Sequence, residues 1–287
     1  AGIVIILGPR WVPESVSDSI PDKVDLISVP LASLGVGIAI LAITQGDKWG
    51  WSSLNLILSF AIALLLVTAF VIRSNRHKAP LFDLDLFKLK TFSVGMIGTV
   101  FFMVAFFSWL ISLPTFIQSV WGWSVLKTGF AIAPAPLLTA FVSPPAGRLA
   151  ERIGNGPILT IGGLLGATGL SLHLIFTNSE PDYVMGIFIP GILIGFAAGF
   201  GFAQLIGAAM RDVPRDQFGM AGAGRTTIFQ LALALGVALA FTIIGRPSSP
   251  QAALDGLQTT WILGIGCYLA QTLLFAFFGG SDKTLKT

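Results

Sequence analysis

Charge is scarce in this 287-residue chain: only 11% of residues are Asp, Glu, Lys or Arg, against 54% hydrophobic. A soluble domain carries roughly 25% charge, so an ordinary soluble enzyme, a disordered chain and a nucleic-acid-binding domain are all excluded. The net charge of +3 on so apolar a chain gives no footprint for nucleic acid. Cysteine is nearly absent. The single Cys267 forbids an internal disulfide and any paired-cysteine metal or redox motif, and it sits in an apolar run where it reads as a small core residue. Histidine is limited to His77 and His173, too few to build a membrane-embedded catalytic centre. No Gly-x-x-x-x-Gly-Lys-Ser/Thr loop occurs, which argues against an ATP-driven pump. No basic stretch precedes the apolar opening Ala1–Gly8, so the opening does not read as a signal peptide. It reads instead as the tail of a helix whose beginning is missing, and the chain as a fragment.

What remains is long apolar runs. With a mean hydropathy of +0.84, the sequence is that of a polytopic membrane protein. A membrane helix needs about 20 apolar residues. Reading from charge to charge gives eight windows: Leu26–Gly46, Trp49–Ile72, Thr91–Leu126, Thr128–Gly147, Ile153–Ser179, Tyr183–Met210, Thr226–Gly245 and Gly256–Ser281. None alternates with a period of two, so helices rather than a barrel are expected.

The loops divide by charge. One side holds Arg10, Lys23, Arg73, Arg76, Lys78, Lys88, Lys90, Arg148, Arg152, Arg211, Arg215, Lys283 and Lys286; the other holds Lys48, Lys127 and Arg246. This thirteen-to-three bias makes the first side cytoplasmic and puts the C-terminus inside. The segment Arg73–Lys90 alternates apolar and charged residues between Leu81 and Lys88. It reads either as an amphipathic piece on the inner surface or as a solvated linker.

Between the fourth and fifth windows the chain reads Pro145-Ala-Gly-Arg-Leu-Ala-Glu-Arg-Ile-Gly-Asn-Gly-Pro157. This resembles the Gly-x-Leu-Ala-Asp/Glu-Arg-x-Gly signature of the major facilitator superfamily. Trp121-Gly-Trp-Ser with Lys127-Thr-Gly-Phe and Pro134-Ala-Pro, the stretch Val213–Gly222, and Thr44–Trp51 resemble the fourteen-span drug:proton antiporter branch, in order and over essentially the whole chain. The resemblance implies an all-α polytopic membrane protein. It divides the chain into the end of a truncated helix (1–9), a cytoplasmic loop (10–25), two additional central helices (26–72), a cytoplasmic linker (73–90), a C-terminal six-helix transport domain (91–281) and a cytoplasmic tail (282–287). An N-terminal six-helix domain would be the missing partner. Two such bundles rock around a central site.

The same resemblance implies roles for residues. Gly147, Arg148, Glu151, Arg152 and Gly154 would form a conformational latch, with charge pairs across the domain interface; the alternative is a plain helix-end loop. Phe102, Phe106 and Trp109, continued by Leu113 and Phe116, share one helical face that would line the substrate cavity, and packing is the alternative. Gln118, Gln204 and Gln230 fall on spans that line the cavity in the family, with interhelical hydrogen bonding as the other reading. His173 lies on a span that is peripheral in the family and reads as structural or interfacial, with a proton relay as the alternative. Arg225, six residues after Gly219 and so about 9 Å into its helix, would snorkel, pair or touch substrate. The family's usual arginine position nearby is Phe229 here.

The glycine rows at 191, 195 and 199 and at 162 and 166 read as close helix contacts. No acid lies inside any window, so a proton-carrying carboxylate would belong to the missing half. The expected function is secondary export of amphipathic small molecules in exchange for protons, across the plasma membrane, with no catalytic residue, metal or cofactor and with lipid as the surrounding partner. The alternatives are a metabolite- or lipid-specific facilitator, or a scaffold that does not transport.

Overall fold

In a computed structural model the chain is described at residue 25 and over residues 27–77, 84–245 and 249–279. The expected helix remnant at 1–9, nearly all of the loop at 10–25 and the tail at 282–287 lie outside these residues. All regular structure among the described residues is helical: α1 (Ser28–Trp49), α2 (Leu54–Arg76), a 3-10 turn (Leu84–Lys88), α3 (Lys90–Ser119), α4 (Val125–Ile132), α5 (Pro134–Ile153), α6 (Asn155–Phe176), α7 (Ile189–Met210, entered through a π turn), α8 (Phe218–Ile244) and α9 (Pro250–Phe278).

Eight segments among the described residues are long and apolar enough to cross a membrane. Their ends depart from the charge-to-charge windows, because charged residues occupy the terminal turns of these helices instead of terminating them. The third span stops at Ser119, well before Leu126, and the fourth runs over Val125–Ile153 as α4 and α5, joined at Ala133 where Pro134 opens the second piece. The last helix begins six residues earlier than the window and so takes in Asp255, exposed near its end and accepting from Gln251 Nε2 at 3.0 Å.

Local chemistry sets several boundaries. Ser53, Ser124 and Ser249 each cap a helix, accepting from the backbone N–H of Leu56, Lys127 and Ala252; such a cap satisfies one of the orphan amides of a first turn.

α3 is the hub. It packs on α7, α8 and α9; α6 packs on α7 and α9, and α5 on α7. Backbone approach is close because glycines line the contacts. A methyl group built on Gly195 of α7 would sit 2.7 Å from the Ala135 carbonyl oxygen of α5, and Thr139 Oγ1 donates to the Gly195 carbonyl at 3.0 Å. Gly199 faces Val142, Gly162 faces Phe200 and Gly166 faces the Tyr268 ring. Between apolar helices in lipid, contact of this kind replaces the hydrophobic effect as the source of association. α1 and α2 form a hairpin that meets the rest through α1 and α8, with Thr242 Oγ1 donating to the Ile43 carbonyl at 3.1 Å. At the base of that hairpin Arg73 Nε donates to Asp25 at 2.8 Å. Burial opposes the charge on Asp25, but the Ser28 hydroxyl and the Arg73 guanidinium outweigh it and hold the carboxyl below its ordinary range.

Candidate functional site

The aromatic face of α3 turns inward, which corrects the cavity assignment of two of its residues. Phe102 is wholly buried, edge-on to Phe202 and Tyr268, and Trp109 is 3% exposed. Gly201 of α7 makes room for the Phe102 ring, since a side chain there would collide with it. Leu113 and Phe116 join the same core. Trp109 Nε1 donates to His173 Nε2 at 3.1 Å, and His173 Nδ1 lies 2.8 Å from the Gly186 carbonyl. The ring therefore carries its proton on Nδ1, donates it to Gly186 and accepts from Trp109. Its other neighbour is Trp261, tilted 31° with ring centroids 5.4 Å apart, and Trp261 Nε1 donates to Ser112 Oγ at 3.0 Å. His173 thus ties α3, α6, α9 and the π turn together. Every polar atom of its ring is engaged in this packing.

The three glutamines separate. Gln118 is exposed at the end of α3 and donates to the Pro114 carbonyl of its own helix at 3.2 Å. Gln204 is buried; with its amide oriented to satisfy both neighbours, it accepts from the Gly147 N–H at 3.0 Å and donates to the Phe200 carbonyl at 3.2 Å. This is the interhelical reading, and it removes Gln204 from the cavity. Gln230 alone of the three lies on a concave surface.

That surface is an open groove of about 430 Å³ between α7 and α8, lined by Phe202, Ala203, Ile206, Arg225, Thr226, Phe229 and Gln230. Phe106, half-buried, reaches it edge-on through Phe202, 5.2 Å away between ring centroids. Arg225, Thr226, Phe229 and Gln230 share one face of α8, as their spacing of one and four residues requires. Thr226 Oγ1 bonds back to Gly222, so its polarity is spent within the helix. Arg225 is half-buried and Gln230 exposed, and neither has a hydrogen-bond or ion-pair partner among the described residues. Phe202 and Ile206 carry no signal of their own in the sequence, whereas Phe229 stands at the family's usual arginine position, one turn after Arg225.

The signature residues are mostly helical, which corrects the expectation of a loop. Gly147, Arg148, Glu151 and Arg152 occupy the last two turns of α5, and the chain breaks only at Gly154, whose φ of 86° lies in the left-handed region open to glycine. α6 starts at once. Arg148, Glu151 and Arg152 are exposed and make no ion pair among the described residues. Gly147 is held by Gln204.

Sequence comparison decides the family. The profile described as Major Facilitator Superfamily matches residues 26–237. The chain belongs to that superfamily. Its members are membrane transporters, not enzymes. Among relatives, the chain is 32% identical over 230 residues to the uncharacterized transporter YebQ of Escherichia coli K12, covering 78% of this chain and 49% of YebQ. It is 24% identical over 277 residues to the lincomycin resistance protein LmrB of Listeria monocytogenes, covering 92% of this chain and 58% of LmrB. It is 29% identical over 245 residues to the multidrug resistance protein Stp of Mycobacterium tuberculosis, covering 85% of this chain and 44% of Stp. The chain spans about half the length of the curated relatives it matches.

Proposed function

We propose that this chain is the C-terminal part of a plasma-membrane exporter of amphipathic small molecules, driven by proton exchange and working by alternating access. The observation that carries the reading is the groove face of α8. An arginine and a glutamine without partners are costly against hydrocarbon, so this face meets water or a second helical bundle, while the other helices close a tight apolar core behind it. A groove with aromatic walls and few polar groups suits amphipathic ligands, and relatives named for lincomycin and multidrug resistance point the same way. On this reading residues 91–281 are one transport bundle, 26–72 two additional helices docked on α8, and the second bundle lies upstream. Residues at the basic end, with the C-terminus, face the cytoplasm by the charge bias. Gly147–Gly154 then serves as the latch, its unpaired charges free to meet the opposite bundle.

Arg225 favours the metabolite alternative in one respect, because it gives the groove a preference for an acidic or electron-rich group on the substrate. Cells carrying the native gene should retain less ethidium than cells lacking it, and a protonophore should abolish the difference. The native polypeptide should exceed 30.3 kDa by roughly 20 kDa on an immunoblot, the mass of six further spans with loops. Ethidium retention indifferent to both gene and protonophore refutes the exporter reading. Arg225→Gln should weaken export of acidic substrates several-fold more than export of ethidium, and equal effects on both would remove Arg225 from substrate contact.

A further inference from the structure

A second concavity lies at the basic end of the bundle, with a lining that shares no residue with the groove. α3, α6, α7 and α9 converge there around a cavity of about 190 Å³. One side of it is apolar, with Val94, Phe275 and Phe278; the other carries Lys90, Arg211 and Asn155. Lys90 Nζ stands over the Phe278 ring, 5.1 Å from its centroid, a cation–π contact that holds the ammonium at the cavity wall. α3 and α6 both begin at this cavity, and neither has a side-chain cap; the last turn of α9 abuts the start of α6, with the Gly279 carbonyl oxygen against Gly156, so the open first-turn amides are those of α3. Thr91 Oγ1, also on the lining, is buried with no hydrogen-bond partner. Asp212 is the acid among the lining residues, 3.8 Å from Arg211 Nε. Two cations, the open N-terminus of α3 and an unsatisfied hydroxyl converge on one space, and this is a donor set for a tetrahedral oxyanion. The adjoining phenylalanines accommodate whatever apolar group that anion carries.

We propose that this cavity binds a phosphoryl anion, either the headgroup phosphate of an anionic lipid or free phosphate. The site is independent of the transport groove, and its test does not depend on export. The purified full chain in a neutral detergent is titrated with dioctanoyl phosphatidylglycerol, dioctanoyl phosphatidylcholine and inorganic phosphate, with occupancy read by native mass spectrometry. Saturable binding of phosphatidylglycerol well ahead of phosphatidylcholine is expected. Lys90→Gln with Arg211→Gln should weaken it about tenfold or more, the loss that follows from removing charge-assisted hydrogen bonds. Asp212→Asn, which leaves every lining donor in place, should tighten it a few-fold and decides the matter if the double variant does not fold. Displacement of the lipid by millimolar phosphate assigns the site to free phosphate, and retention of the lipid assigns it to a headgroup. Equal affinity for the two lipids, or affinity unmoved by both the double variant and Asp212→Asn, overturns the proposal.

Discussion

Replacing His173 by phenylalanine keeps a flat ring against Trp261 but removes both polar atoms. Trp109 Nε1 then has no acceptor, and the Gly186 carbonyl loses the imidazole donor and keeps the Thr177 hydroxyl, at 3.0 Å. Interhelical hydrogen bonds in membranes average about 0.6 kcal/mol and reach about 1.7, because the unfolded helices in lipid find other partners. A buried donor left unsatisfied adds about 1–3 kcal/mol. His173 is fully buried, so the sum should approach 2–3 kcal/mol. At roughly 2–4 °C per kcal/mol for a chain of this size, the melting temperature should fall by about 4–12 °C. Trp109→Phe removes the same bond from the other side. The double variant should therefore lose about 1 kcal/mol less than the sum of the singles, the signature of a shared contact. Thermal unfolding of the detergent-solubilised chain, followed by size-exclusion fluorescence, measures all three. Strict additivity would mean that the bond contributes nothing. Trp109→Ala should cost about 3–5 kcal/mol through the cavity it leaves. A Trp109→Ala protein with unchanged melting and an altered drug profile would return this residue to the substrate cavity.

Gly195→Val should cost about 1–3 kcal/mol by overpacking against the Ala135 backbone, while Gly191→Ala, whose nearest neighbour is the Ala135 Cβ at 3.9 Å, should stay within about 0.5 kcal/mol; melting temperatures compare the two. Glu151→Gln in the native protein should slow efflux about fivefold, equivalent to ~1 kcal/mol, with unchanged abundance in the membrane; wild-type rates would remove Glu151 from the latch. Asp25→Asn should loosen the α1–α2 hairpin in a pH-dependent way. The folded carboxyl titrates below its ordinary value of 3.8, so its contribution is complete above that pH and is lost as pH falls through the lowered value. The gap in hydrogen-exchange protection of α1 between wild type and Asp25→Asn should be present near neutrality and close in acid.

Hydropathy alone carried the span count and the helical class, since lipid permits few ways of satisfying a backbone, and the glycine rows of α7 were readable as contact faces. The site was less legible. The α3 stripe of Phe102, Phe106 and Trp109 has a helical period, yet period identifies a face and not what it meets. In a membrane protein, core, lipid and cavity are all apolar, and the contrast that orients a soluble helix is lost. For Phe102 the answer came from Gly201, ninety-nine residues away in the chain, whose missing side chain leaves space for the ring. For Trp109 it came from His173 on another helix. Gln204 and Gln230 look alike in sequence; one meets Gly147 and the other meets no partner among the described residues.

The sequence by itself determined that this chain lives in a membrane, that eight segments among the described residues can cross it and which superfamily it belongs to, because those properties rest on composition, segment length and local motifs. Only the tertiary structure decided which polar groups are spent on packing and which remain available, because that depends on whether a donor from another helix lies within about 3 Å.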